Sequence, residues 1–143
     1  MVIGIIGENC AGKSTLADAI KARLSAEVIT GKDYLRLAKS EAEATALFKQ
    51  KLAQTPQDET VVYVISEPEQ LSLLPETAVR ILVKADLDTI QERFRARMRG
   101  NLPPPVAQML ARKHGTFDAV PHEIDYDGVA GDPDAVAAAL AQK

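Results

Sequence analysis

The sequence predicts an α/β fold, a three-layer sandwich in which helices cover both faces of a five-stranded, mostly parallel sheet. One observation behind this prediction is the alternation of short apolar runs with amphipathic stretches along all 143 residues. Another is the composition of the runs at residues 2–6 and 61–65, which are apolar throughout and therefore typical of parallel strands buried on both faces. The chain length suits one domain, residues 1–143.

The composition is that of an ordinary globular protein, with 46% hydrophobic and 26% charged residues. A net charge of -3 argues against a nucleic-acid-binding surface over the whole protein, so we expect no nucleic-acid partner. Cys10 is the single cysteine, which excludes an internal disulfide. No apolar run is long enough to span a membrane, and a strand beginning at residue 2 leaves no room for a signal peptide. We therefore expect a cytoplasmic protein with no membrane partner.

The most specific motif follows the first predicted strand. Gly7, four residues, and then Gly12, Lys13 and Ser14 form the Walker A pattern of a phosphate-binding loop, or P-loop. Glycines let the backbone curl until several N–H groups converge on phosphate oxygens. Lys13 adds a charge for the outer phosphates, Ser14 offers a hydroxyl to Mg²⁺, and the next helix contributes its positive dipole end. The motif predicts ATP and Mg²⁺ as cofactors, with nucleotide contacts from Gly7, Glu8, Asn9, Cys10, Ala11, Gly12, Lys13, Ser14 and Thr15.

The first half of the chain continues with alternating elements. Helical spacing of Leu16, Ile20 and Leu24 predicts a helix over residues 13–24, and this context favours a phosphate loop over a simple glycine turn. The remaining predictions for this half are a second strand at 26–30, a long amphipathic stretch over 35–52, a third strand at 61–65, at most a short helix within 66–76, and a fourth strand at 78–84.

The second half predicts three helical pieces and a last strand. Asp86 is a plausible N-cap for a helix whose buried stripe would be Leu87, Ile90, Phe94 and Met98. Prolines at 103–105 must interrupt that helix. A helix at 106–113, a fifth strand at 121–126 and a final helix starting at 132 complete the predicted sandwich. Ligands in such sheets bind at the carboxyl ends of the strands.

A short lid is predicted over residues 93–105. Phosphoryl transfer requires the reactants held in line and the charge on the moving group neutralised. Arginines at alternate positions, 93 to 99, resemble those of P-loop kinase lids, which close over the phosphoryl group or stack on adenine. Arg95 and Arg99 are the predicted catalytic arginines, and Arg95 also a nucleotide contact. One alternative is a solvated basic face. Another is a basic stripe that binds RNA, but the stretch lacks the interleaved aromatic residues that would support it.

An acceptor site is predicted after the second strand. Residues 30–36, TGKDYLR, resemble the Thr-Gly-Asp-x-Leu-Arg stretch of the nucleoside monophosphate kinases, adenylate kinase above all. The resemblance implies that Thr30 and Arg36 contact the acceptor. In several small-molecule kinases of this superfamily an aspartate orients or deprotonates the acceptor hydroxyl, a catalytic role that would fall to Asp33. The alternative is that Asp33 caps the helix that follows.

Two further residues are assigned by the same resemblance. Many P-loop proteins have a metal-binding aspartate at the end of the third strand, where this chain has Ser66 and Glu67, so Glu67 is the predicted partner of Ser14 for Mg²⁺. Residues 127–136 resemble the Asp-Gly-x-Gly segment that packs beside adenine in these kinases, which implies Gly131 as a nucleotide contact. The alternative is that these residues form only a glycine turn followed by a capped helix.

Together these features predict a P-loop NTPase sandwich similar to nucleotide, nucleoside and shikimate kinases. Its expected activity is transfer of the terminal phosphoryl group of ATP to a small acceptor, and Lys32, Arg36 and Arg112 indicate that the acceptor is anionic. Two alternatives stay open. One is a nucleotide-dependent switch, although no Asn-Lys-x-Asp guanine motif is present. The other is a P-loop regulatory protein that binds nucleotide without catalysis.

Overall fold

The computed structural model describes residues 1–143 and contains a five-stranded sheet in the order β2-β3-β1-β4-β5. Every neighbouring pair of strands is parallel, so all carboxyl ends lie at one edge. The strands are β1 (Val2–Ile6), β2 (Glu27–Thr30), β3 (Val61–Ile65), β4 (Val79–Lys84) and β5 (Ile124–Asp127).

Five α-helices and two 3₁₀ helices connect the strands. The 3₁₀ helices span Asp33–Leu37 and Pro68–Leu73. The α-helices are α1 (Lys13–Leu24), α2 (Glu41–Ala53), α3 (Leu87–Arg97), α4 (Pro104–Lys113) and α5 (Pro133–Ala141). None of these helices is both long and apolar enough to cross a membrane.

The two central strands fix the position of the phosphate loop. β1 and β3 pair in register from Val2 opposite Val61 to Ile6 opposite Ile65, and every residue of both strands is buried. Helices cover both faces of the sheet, so the side chains of these strands are apolar except for the hydroxyl of Tyr63, which donates to the carbonyl of Gly31. The two strands therefore end together, and the loop after β1 begins beside the end of β3.

Two hydrophobic cores, one on each face, make the three layers of the predicted sandwich. One core packs the sheet against residues of α1, α3, α4 and α5, such as Leu16 and Leu140. The other packs it against α2 and the second 3₁₀ helix, through Phe48, Leu52 and Leu73. The α/β class, the three layers and the five-stranded sheet are thus confirmed, and the sheet is parallel throughout.

The stretch at residues 35–52 differs from the prediction of one long amphipathic element. It divides into the first 3₁₀ helix and α2, because the Ser40 side chain accepts a hydrogen bond from the backbone of Glu43 and begins a new helix there. That start sets which face is buried: Ala44, Phe48 and Leu52 are in the core, whereas Ala42 and Ala46 are exposed.

The region around the prolines also differs. Met98, predicted to be buried, is 48% exposed because α3 ends at Arg97. The chain then turns through left-handed conformations at Arg99 and Gly100. α4 begins at Pro104, two residues earlier than predicted, since proline is tolerated in the first turn of a helix.

Phe48→Ala should lower the free energy of unfolding by about 3–5 kcal/mol in urea denaturation. The ring is fully buried, with its centroid 5.1 Å from the ring of Tyr34 and 4.8 Å from that of Tyr63. The neighbouring Leu47 is 46% exposed, so Leu47→Ala should change stability by no more than about 0.5 kcal/mol. Equal losses for the two variants would contradict the packing described for this face.

Candidate active site

The loop between β1 and α1 has the tight curl that a phosphate cradle requires. Gly12 has φ 112° and Cys10 has φ 66°, both in the left-handed region. For a residue with a side chain this conformation costs about 1–2 kcal/mol, and the surrounding core holds Cys10 there in a buried position. The loop closes on itself through the amide of Ala11, which donates to the carbonyl of Glu8 at 3.1 Å.

Lys13 is the one buried cation of the chain, with 6% of its surface exposed. Its ammonium donates to the carbonyl of Gly7 at 2.5 Å, to the carbonyl of Ile65 at 3.2 Å and to the hydroxyl of Ser66 at 2.5 Å. Burial is the main cause that lowers the pKa of Lys13 from 10.5 to about 8. The lysine thus spans the carboxyl ends of β1 and β3.

The loop after β5 forms the opposite wall, in backbone contact with the phosphate loop. The amide of Gly128 donates to the carbonyl of Lys84 at 2.7 Å. A β-carbon on Gly128 would lie 1.7 Å from the carbonyl oxygen of Ala11, so only glycine fits. The carboxylate of Asp127 accepts from the amide of Val129 at 2.8 Å and shapes the turn.

Arg93 of α3 ties the two walls together. One guanidinium nitrogen donates to the carbonyl of Cys10 at 3.0 Å, and the other donates to the carbonyl of Gly128 at 2.7 Å. The planar fork of arginine is suited to two acceptors at once. The middle of α3 is therefore held against both loops.

A cleft of about 540 Å³ opens between these walls. Its charged lining side chains are all cationic: Lys13, Arg93 and Arg97. The loop, the start of α1 and these three positive charges favour an anionic ligand. The other lining residues are Asn9, Cys10, Gly12, Ser14, Thr15, Thr30, Val64, Ser66, Tyr126, Gly128, Val129, Gly131 and Pro133.

A second cleft, larger and more acidic, has a volume of about 770 Å³ and shares Tyr126 and Val129 with the cationic cleft. It is lined by five carboxylates against one lysine and one histidine, so its charge disfavours a nucleotide. The carboxylates are Glu8, Asp86, Asp118, Asp125 and Asp127.

The structure brings eight of the predicted site residues to the lining of the cationic cleft and leaves others outside. Gly7 and Ala11 contribute backbone beneath it. Glu8 turns away, since its carboxylate lies 3.1 Å from Nδ1 of His114 and accepts from the amide of Gly115 at 3.2 Å. The eight lining residues are Asn9, Cys10, Gly12, Lys13, Ser14, Thr15, Thr30 and Gly131.

The structure does not bring Arg95 and Arg99 to the cleft. Residues two apart on a helix project about 200° apart, so with Arg93 against the loop, Arg95 points away and pairs with Glu92. Arg99 lies beyond the end of α3. Arg97, one turn after Arg93, faces the cleft instead.

Glu67, Asp33 and Arg36 also lie outside the lining. Glu67 forms an ion pair with Lys113 of α4 at 3.5 Å and borders a separate small cavity. Asp33 opens the exposed first 3₁₀ helix, and Arg36 lies in its last turn. Their predicted roles toward metal and acceptor stay predictions.

Two contacts had no signal of their own in the sequence. The hydrogen bond from the ammonium of Lys13 to the hydroxyl of Ser66 forms because β1 and β3 end side by side. In the sequence, Ser66 is distinguished only by its position directly after an apolar run. The contact of Glu8 with His114 and Gly115 joins residues 106 and 107 positions apart, and no motif links them.

Known structures agree with this architecture. A gluconokinase from Sinorhizobium meliloti superposes with a TM-score of 0.63 at 17% identity, covering 99% of this chain and 93% of that one. The chain has the fold of the P-loop small-molecule kinases. A shikimate kinase from Bacteroides thetaiotaomicron gives 0.63 at 14% identity, covering 99% and 96%. The YorR protein from Bacillus subtilis, in complex with phosphorylated GDP, gives 0.61 at 18%, covering 99% and 94%. No family model and no curated protein matches the sequence.

Within this P-loop kinase fold, Gly128→Ala should lower the free energy of unfolding by about 3 kcal/mol or more, because the two walls of the cleft must separate. The matched variant Gly100→Ala has no atom within 4 Å of the new β-carbon, but φ is 88°. Its cost should be the backbone strain alone, about 1–2 kcal/mol. Chemical denaturation of both variants checks this, and similar losses would mean that the walls are not in contact.

Proposed function

We propose that the protein is an ATP-dependent phosphotransferase that moves the γ-phosphoryl group of ATP to a small anionic acceptor. The observation that carries this proposal is the cationic cleft, in which Lys13 and Arg97 line one volume together with residues of the phosphate loop. Such a site supplies what phosphoryl transfer demands of a protein, namely positioning and charge neutralisation.

The nucleotide would lie across the two loops. The amides of the phosphate loop would hold the β- and γ-phosphates, and the ammonium of Lys13 would reach them by releasing some of its backbone acceptors. Val129, Gly131 and Pro133 also line the cleft, and they would contact the ribose or base. Arg97 would neutralise the charge on the phosphoryl group in flight, the role predicted for Arg95 and Arg99.

The residues fit Mg²⁺ in part. Ser14 is exposed in the cleft and offers a hydroxyl oxygen, the type of ligand that Mg²⁺ accepts together with phosphate oxygens and water. When bound, the ion would neutralise charge on the β- and γ-phosphates.

The acceptor would enter from the side of β2. Thr30 lines the cleft where β2 ends, and the first 3₁₀ helix follows with Asp33 and Arg36. Asp33 would orient or deprotonate the attacking hydroxyl, while Lys32 and Arg36 would attract a negatively charged acceptor. Gluconokinase and shikimate kinase, named for hydroxy acids, support an acceptor of that class. The complex of YorR with phosphorylated GDP keeps nucleotides among the candidates.

The direct test is an acceptor screen read out by ADP production, with nucleosides, nucleoside monophosphates and small hydroxy acids. A phosphotransferase should release ADP at a rate that rises only when a particular acceptor is added. ATP hydrolysis that is indifferent to acceptors would indicate a nucleotide-dependent switch. Nucleotide binding without turnover would indicate the inactive regulatory protein, an alternative favoured by the absence of a carboxylate from the cleft lining.

Arg97→Gln should lower kcat by about 10–1000-fold, because a cation facing the phosphates is lost. The matched variant Arg95→Gln removes a cation two residues away that pairs with Glu92, and it should change kcat less than about threefold. Steady-state kinetics with the acceptor found in the screen would compare the two. A larger loss for Arg95→Gln would restore Arg95 as the catalytic arginine.

A further inference from the structure

The charges around the cationic cleft determine how a divalent ion can be held there. A carboxylate near the phosphates would repel a free nucleotide anion more strongly than its magnesium complex, whose metal it could ligate. The lining contains three cations and no carboxylate. The negative charge of a nucleotide would therefore be balanced in this cleft by positive side chains of the protein.

The nearby carboxylates are engaged elsewhere. Burial lowers the pKa of Lys13, and the charges of Cys10, Glu67 and Glu8 offset this only in part. The carboxylate of Glu67 pairs with Lys113, and that of Glu8 accepts from the backbone of Gly115. Both side chains are held by the segment at the end of α4, outside the cleft.

Ser66 occupies the position at which a carboxylate would lie close to the phosphates and could ligate a metal ion bound to them. It follows β3 directly, lines the cleft and lies 2.5 Å from the ammonium of Lys13. Its backbone is held in place because its amide donates to the side chain of Gln70, which is only 4% exposed. A hydroxyl at this fixed position adds no negative charge to the cleft.

We propose that the cleft binds the metal-free nucleotide anion nearly as tightly as its magnesium complex, and that side-chain hydroxyls such as that of Ser14, not a carboxylate, would ligate the ion. This inference rests on the proposed function, since it concerns the same nucleotide. The free anion carries two more negative charges than the complex, and Lys13, Arg93 and Arg97 compensate for them. The ion would then arrive and leave with the phosphates.

The test is isothermal titration with a non-hydrolysable ATP analogue, once with excess Mg²⁺ and once with EDTA. For the wild-type protein the dissociation constant in EDTA should exceed the one in Mg²⁺ by a ratio of no more than about fivefold, because no carboxylate lines the cleft to repel the free anion or to ligate the metal. Ser66→Asp should raise the ratio above about fivefold, since the new carboxylate repels the free anion and can ligate the metal. Ser66→Asn introduces a side chain of the same size as aspartate but without its charge, and it should keep the wild-type ratio.

Two further variants test Glu67, the carboxylate predicted for Mg²⁺, and Asp33, the carboxylate predicted for the acceptor. Glu67→Gln and Asp33→Asn should leave the ratio unchanged, because neither carboxylate lines the cleft. A wild-type ratio above about fivefold would overturn the inference while nucleotide binding itself still stood. A ratio that either of these variants alters would overturn it as well. Failure of the wild-type protein to bind the analogue under both conditions would overturn the proposed function and, with it, this inference.

Discussion

The phosphate loop and the loop at residues 127–131 are in backbone contact, and the cationic cleft depends on that contact. Gly128 fits beneath the carbonyl of Ala11 with no room for a side chain, and Arg93 joins the carbonyls of Cys10 and Gly128 across it. The contact exists because β1 and β4 are neighbours in the sheet and β5 follows β4, so their carboxyl ends lie side by side. The order of the strands in the sheet thus determines which two loops form the cleft.

Charge separates the two sides of the phosphate loop. One side presents lysine and arginine around an amide-rich curl, whereas the other presents five carboxylates. Glu8 belongs to the acidic side, and its carboxylate is hydrogen-bonded at the end of α4. A chain with a net charge of -3 can therefore still offer a strongly cationic site, because the sign of the field is set locally.

The sheet and the phosphate loop could be predicted because their signals are local. Apolar runs identified β1 and β3, and the spacing from Gly7 to Ser14 specifies the curl that the structure has. The orientation of the arginines could not be read from alternation alone, since it depends on which residue of α3 contacts the loop. Glu67 is a similar case, because its pairing with Lys113 depends on where α4 ends. Long-range packing decides both.

The most direct test of the central claim is a two-dimensional ¹H–¹⁵N NMR titration with a non-hydrolysable ATP analogue. If the nucleotide binds where we conclude, the largest amide shifts should fall at residues 8–15 and 128–131, the two loops that face each other across the cationic cleft. Shifts confined to the acidic cleft, for example at Asp118 and Asp125, or no shifts at all, would contradict the account.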